Sequence, residues 1–266
     1  MIKTKLECNY PIYACIEAFE DFTELDRYDW VTTNDYQRRI LNNRKWLAGI
    51  ETEASYEVQV VNKFLKDQGL DIQLSPITGA PGIYVAAVLS LAMKWRKKGF
   101  ESIVKSGEKY YKGFSLHNSL QGTNFDIYGN HTFVLRTEDE MYDVSILVKK
   151  EIPYDTTSIL IPTIKIDLIT ELKDLVGMSN KLWIIAEAIQ QTKLKLTHEG
   201  FEVKSGAAIS VVSGSATTGS TFTLDEAFEL SIRKRGYSEP IIHGVIGKDS
   251  WEKIDAVEAT VTNLIV

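Results

Sequence analysis

Cysteine is nearly absent from this chain of 266 residues: Cys8 and Cys15 are the only two, with Pro11 between them. Neither a Cys-x-x-Cys pair nor a zinc spacing results, so a disulfide framework is excluded and free thiols in a reducing compartment are expected, which places the protein in the cytoplasm. The four histidines, His117, His131, His198 and His243, lack the i, i+4 or Cys/His spacing of a metal site. No metal and no cofactor is expected. The start, MIKTKLECNYPIYACIEAFEDF, has too short an apolar run and too many acids for a secretory signal, and no later run is suited to a membrane. Thirty basic residues against thirty-six acidic ones give a net charge of −6, which excludes a broad nucleic-acid footprint.

Catalytic signatures are missing too. Ser213 and Ser215 have no G-x-S-x-G elbow and no assignable His or Asp partner. GSATTGST (214–221) has the outer glycine spacing of a phosphate loop, but Ser220 stands where the lysine must reach the phosphates. The acids Glu138, Asp139, Glu140 and Asp143 read as a solvated turn, without the glycine punctuation of a calcium loop. No enzyme is expected. No repeat, low-complexity tract or Pro/Gly-rich linker divides the chain, so one α+β domain over residues 1–266 is expected.

What is present begins with helical patterns over residues 1–70. Asn34 suits the cap of DYQRRILNNRKWLAGI, and Glu53 to Lys66 carries Tyr56, Val60 and Phe64 at four-residue spacing, ending at Gly69. PGIYVAAVLSLAMKWRKKG (81–99) reads as a further helix. Pro81 suits its first turn and Gly99 its end, while Lys94, Arg96, Lys97 and Lys98 oppose the negative end of the dipole. From 106 to 266 the chain is β-rich, with FDIY, TFVLR, DVSILVKK and SILIPTIKIDLI separated by turns at Gly129-Asn130 and at 137–140. Thr170 is expected to begin a short helix ending near Gly177.

The tip SGSATTGS (213–220) holds only Ser, Gly, Ala and Thr and cannot bury itself, so it is expected to be exposed and open to proteases. Before it, Leu194 and Leu196 alternate with Lys193, Lys195 and Thr197, the period-2 pattern of a half-buried strand. Gly200 then resets the phase. After it Phe201, Val203, Ser205 and Ala207 share one face, while Glu202 and Lys204 share the other. Beyond the tip, FELSI (228–232) alternates again and IIHGVIG supplies a β-branched run. Taken alone, this describes two strands joined by a long loop.

The order of these pieces resembles the serpin family. KLKLTHEGFEVKSGAA (193–208) is similar to the family's strand, Glu-Gly hinge and run of small residues. FTLDEAFELSIRKR (222–235) is similar to its Phe-x-x-Asp-x-Pro-Phe core, and IIHGVIGK (241–248) to its closing strand. Residues 201–221 separate Gly200 from Phe222, about the family's interval between hinge glycine and core phenylalanine. LDIQLSPIT (70–78), SILIP (158–162) and IPTIKIDLITELKDLVGM (161–178) resemble three further family segments in order. The match is strongest over residues 161–248.

The resemblance implies an α+β serpin-like fold, with helices packed on mixed and antiparallel sheets. It implies a hinge at Glu199, Gly200, Phe201, Val203 and Ser205, and a reactive loop at Ser213, Gly214, Ser215 and Ala216 with the scissile bond near Gly214-Ser215. The partner implied is a serine protease that accepts small residues, elastase-like or subtilisin-like; after cleavage the hinge side enters a sheet as a new strand. The chain departs from the family where Phe201 replaces Thr or Ser, Val203 and Lys204 replace small residues, Gln190 replaces a His and Ala227 a Pro. Phe201 is expected to overpack its slot, at about 1–3 kcal/mol, and so to stall insertion. Only residues 77–158 lie between Pro76 and Ile159, where the family carries several helices and most of its central sheet. The alternative function is a non-inhibitory binding protein that presents the 213–220 loop or the strand edge at 201–210 to a partner.

Overall fold

Strand follows strand wherever apolar residues alternate, and the computed structural model describes this for residues 2–43, 49–118, 122–203 and 220–254. The helices are α1 (Tyr10–Thr23), α2 (Asp35–Asn42) and α3 (Val58–Asp67). The first strands are β1 (Lys5–Glu7), β2 (Trp30–Val31), β3 (Ile50–Ser55), β4 (Tyr84–Leu89), β5 (Leu91–Lys94), β6 (Phe100–Ser106) and β7 (Lys109–His117). There follow β8 (Phe125–Tyr128), β9 (Thr132–Arg136), β10 (Tyr142–Leu147), β11 (Thr156–Pro162), β12 (Ile164–Glu171), β13 (Ser179–Asn180) and β14 (Trp183–Ile184). The last are β15 (Ile189–Leu196), β16 (Gly200–Val203), β17 (Ser220–Thr223), β18 (Phe228–Lys234), β19 (Ile242–Ile246) and β20 (Lys253–Ile254). No helix among the described residues is long and apolar enough to cross a membrane.

Two compact units divide the chain. The first comprises Met1–Glu7, Leu91–Ile166 and Lys193–Val266; the second comprises Cys8–Ser90 and Asp167–Thr192. In the first unit the order β1-β19-β18-β10-β9-β8 makes an antiparallel sheet. Period-2 alternation sends Phe133 and Leu135, Val144 and Ile146, and Leu230 and Ile232 to one buried face. Phe133 meets Phe125 at 5.5 Å and Phe222 at 5.3 Å, the tilted and edge-on ring geometries that aromatic pairs favour. A second sheet runs β17-β11-β7-β20, with β6 also on β7; only the β17–β11 pair is parallel.

In the second unit β3 and β4 pair antiparallel from Ile50↔Leu89 to Ser55↔Tyr84. The buried stripe of α3, Val58, Val61 and Leu65, packs with Ile72, Tyr84, Ala86 and Val88 into one cluster. Tyr10, Ile12, Tyr13, Ala14 and Ile16 bury the inner side of α1. As its sequence predicts, α2 starts at an Asn34 cap: the Asn34 Oδ1 accepts from the Gln37 amide at 2.9 Å. A small sheet, β14-β13-β2, completes the unit, and the boundary between the units falls inside β12 and β15.

The expected strands at 125–128, 132–136, 143–150 and 158–169 are present as β8, β9, β10 and the β11–β12 run, with turns where they were placed. Three helical expectations are corrected. Residues 81–99 are not a helix but β4, β5 and the bridge at Trp95. A nearly continuous apolar run shows no helical or strand period in its hydropathy; its β-branched and aromatic members, Ile83, Tyr84, Val85 and Val88, decide for strand, and in the fold Tyr84, Ala86 and Val88 are buried while Val85 and Ala87 are only half-buried. Gly99 is not a helix cap; a side chain there would stand 2.8 Å from the Ser115 carbonyl oxygen.

The helix expected over 53–66 starts only at Val58, because Glu53 belongs to β3. Its buried stripe is Val58, Val61 and Leu65, and Tyr56 and Val60 are exposed. The helix expected from Thr170 is instead the end of β12 followed by a single 3-10 turn, Lys173–Leu175, before Gly177 at φ +87. Leu172 donates to the Ala188 carbonyl and so continues the strand pairing that pre-empts helix formation.

Candidate functional site: the hinge hairpin

Leu194 and Leu196 are buried while Lys193 and Lys195 are half-exposed, so β15 presents one apolar face. The chain then reverses. Thr197 and Gly200 exchange backbone hydrogen bonds at 2.9 and 3.3 Å, closing a two-residue turn with His198 and Glu199 at its tip. β16 runs back antiparallel to β15, with Leu194↔Val203, Lys195↔Glu202 and Leu196↔Phe201 in register. On its other side β16 pairs antiparallel with β5, from Gly200↔Lys94 to Val203↔Leu91. The segment expected as a hinge is therefore a central strand.

Glycine is required at 200 by this close approach: a Cβ there would overlap the Met93 carbonyl oxygen. Phe201 is fully buried and Val203 nearly so, as the alternation reads. The Phe201 ring lies 6.1 Å from that of Trp95, which stacks in turn on Phe114 at 6.4 Å. The expected overpacking is corrected by this wall. A slot lined by Trp95 is built for an aromatic ring, and burying one contributes about 1.5–3 kcal/mol. Glu202 faces the opposite way, and its Oε2 is buried without a hydrogen-bond partner among the described residues.

Residues 95–99 clasp the turn. The Trp95 Nε1 donates to the Thr197 carbonyl at 2.7 Å, the Trp95 amide to the Glu199 carbonyl at 3.0 Å, and the Gly99 amide to the His198 carbonyl at 2.6 Å. The Lys98 Nζ donates to the Glu199 carboxylate at 3.0 Å. That bond, with the charges of Lys98, His198 and Lys195, holds the Glu199 carboxyl below its ordinary range against the opposing effect of desolvation. The His198 ring lies 3.6 Å from Glu101 through Nδ1 and 3.9 Å from Glu199 through Nε2.

Of the sequence-expected site residues, Glu199, Gly200, Phe201 and Val203 come together in this one hairpin. Ser205 and the loop residues Ser213, Gly214, Ser215 and Ala216 lie outside the described residues. The chain is described again from Ser220 in β17, where the Thr221 and Ser158 hydroxyls bond at 2.7 Å. Sequence reading misses Trp95, Lys98 and Gly99 as neighbours of the turn because 81–99 reads as a helix. The alternation of Leu91, Met93 and Trp95 with Ala92 and Lys94 was the available signal. In the second unit, Gln190 donates to the Cys8 carbonyl at 2.6 Å. Cys8 and Cys15 are free, and burial pushes both thiols up to about 12. Among the described residues no group of His, Cys, Asp and Glu is placed to hold a metal.

No protein-family model and no curated protein sequence matches the chain. Solved structures do match. Serpin48 of the insect Tenebrio molitor aligns over 92% of this chain and 92% of its own, with a TM-score of 0.53 and 11% identity. Mouse protein-Z dependent protease inhibitor aligns over 92% and 91%, with a TM-score of 0.52 and 10% identity. Human thyroxine-binding globulin, in complex with thyroxine, aligns over 91% of each chain, with a TM-score of 0.51 and 9% identity. The fold is the serpin fold: α+β, with an N-terminal helix and several antiparallel and mixed sheets. Its holders, by the names just given, include a protease inhibitor and a thyroxine-binding globulin, and the fold alone does not choose between those roles.

Proposed function

We propose that this chain is a serpin-type inhibitor of serine proteases that offers the loop at residues 213–220 as bait. The reactive loop is Ser213, Gly214, Ser215 and Ala216, and the target prefers small residues, as elastase-like and subtilisin-like enzymes do. The observation that carries the reading is β16: Gly200 to Val203 already takes a strand's place between β15 and β5. In the proposed step the protease serine attacks the Gly214 carbonyl, forming an ester, and Ser215 leaves as a new amine. The freed segment then continues β16 as a longer strand, and the backbone hydrogen bonds gained distort the bound protease.

The test is incubation with an elastase-like and a subtilisin-like protease. A covalent adduct that survives denaturing electrophoresis, and a rise in melting temperature on cleavage within 213–220, are the expected results. Nicking with neither would overturn the proposal. The second reading, a non-inhibitory binding protein, is favoured by one observation: the hinge docks through a fully buried Phe201 against Trp95. A hinge locked in that way would gain nothing by cleavage, so nicking without stabilisation is its signature.

A further inference from the structure

In the small sheet of the second unit, β14 lies at an edge: β13 pairs with it on one side, and no described strand lies on the other. Ile185 donates to the Met178 carbonyl at 2.9 Å, and Trp183 pairs with Asn180. Inward and outward bonding alternate along an antiparallel strand, so the N–H and C=O of Ile184 point away from β13. The run around it, Leu182-Trp183-Ile184-Ile185-Ala186, has neither the charge nor the proline with which solitary edge strands are guarded. Leu182 is 94% exposed and Ile184 67%, while Val31, in register with Ile184 across Ser179, is 60% exposed. Apolar surface and a backbone edge able to pair are thus offered to solvent together.

The two ends of the run carry opposite charges, Lys181 and Glu187, equally far from Ile184. Paired antiparallel with a copy of itself about Ile184, the run sets Leu182 opposite Ala186 and Lys181 opposite Glu187, twice over. We propose that β14 is the contact strand of a homodimer, joined to β14 of a second copy across a two-fold axis at Ile184. On that axis each Ile184 N–H donates to the Ile184 carbonyl of the other copy, so both outward groups are satisfied and the contact closes at two chains. The charge pairs select this direction, because parallel pairing would set Lys181 against Lys181 and Glu187 against Glu187. Within one chain the Lys181 Nζ lies 3.0 Å from the Asp29 carboxylate, and the Glu187 carboxylate accepts from the Ser75 amide at 2.9 Å and from its hydroxyl at 3.4 Å. Both charges are therefore shared at the rim and set register more than affinity, which comes from the apolar contact. All these residues belong to the second unit, so the dimer does not depend on the inhibitory reading.

The experiment is sedimentation of the full chain from about 1 to 100 μM, where a monomer–dimer equilibrium is expected. Ile184→Lys puts two like charges on the axis and should raise the dissociation constant at least about tenfold. Lys181→Glu and Glu187→Lys should each weaken the dimer about twofold to tenfold, and the double exchange should restore it. Disulfide trapping reads the axis without disturbing charge. Ile184→Cys should link two chains on mild oxidation, since residues paired at a Cα separation of about 5.5 Å are within disulfide reach. Val31→Cys, on the opposite edge strand, should not, and the native Cys8 and Cys15 thiols, which burial pushes up to about 12, should stay silent. A chain that remains monomeric throughout, a dimer that Ile184→Lys leaves intact, a double exchange that restores nothing, or Ile184→Cys linking no faster than Val31→Cys would overturn the proposal.

Discussion

β16 and β18 are both paired on both sides, by β15 and β5 and by β10 and β19, yet they are held in place unequally. β18 has seven residues, of which Phe228, Leu230 and Ile232 are buried between β10 and β19. β16 has four, of which Phe201 and Val203 point inward and Glu202 leaves a buried oxygen without a partner. Burying the two apolar side chains contributes about 1.5–3 kcal/mol each. Ordering four residues of backbone costs about 1–2 kcal/mol each, so β16 is docked by a small margin and depends on its clasp. The lesson is that β18 is held by burial along its length, whereas β16 leans on the turn that precedes it.

The largest effect should come from Leu230→Ala, which removes a fully buried side chain and is expected to cost about 2–5 kcal/mol of global stability. Phe201→Ala removes more surface but should lower global stability by less, because its cost is capped at the free energy of local undocking. Chemical denaturation of the two variants decides; equal losses would break the contrast between the strands. Gly200→Ala should abolish docking outright, since the new methyl overlaps the Met93 carbonyl. Hydrogen-exchange protection of 201–203 should fall at least about tenfold, with that of β18 unchanged.

Thiol labelling sharpens the same contrast. Burial holds the Cys8 and Cys15 thiols up near about 12, so at pH 8 they should react only on global opening. A Val203→Cys thiol should react on local undocking, roughly tenfold or more faster; equal rates would mean that β16 opens only with the whole molecule.

The smallest effect is expected from Lys98→Ala, about 0.2–1 kcal/mol on docking, as for partly exposed ion pairs. The Glu199 carboxyl is held down by Lys98, so its contribution is present above the ordinary carboxylate range and is lost as pH falls through it. Protection of 201–203 should therefore drop below about pH 4.5. In Lys98→Ala that acid limb should be shallower, by the same exchange measurement.

Much of the hinge was legible in the sequence because a strand announces its faces. Leu194 and Leu196, then Phe201 and Val203 after the phase change at Gly200, read directly as inward-pointing residues, and the structure has them so. The Asn34 cap was legible for a comparable reason, since its mechanism is contained within three residues. The clasp was not. Pro81, a basic end and Gly99 imitate a capped helix, and only the neighbours of 84–94 show that its backbone hydrogen bonds go sideways to other strands. Phe201 misled in another way: size alone suggested strain, and the Trp95 that makes room for it lies more than a hundred positions away in the chain.

By itself, then, the sequence determined which residues could form strands, where the chain must turn, and that the stretch from 193 to 248 is ordered like a serpin. Those are local properties, set by side-chain period, by glycine and by capping chemistry within a few residues. The tertiary structure alone decided that an apolar run becomes β4 and β5, that Gly200 abuts Met93, and that His198 sits beside Glu101. Each depends on which distant backbone supplies a hydrogen-bond partner, and a backbone amide can satisfy itself in a helix or a sheet until a neighbour is in place.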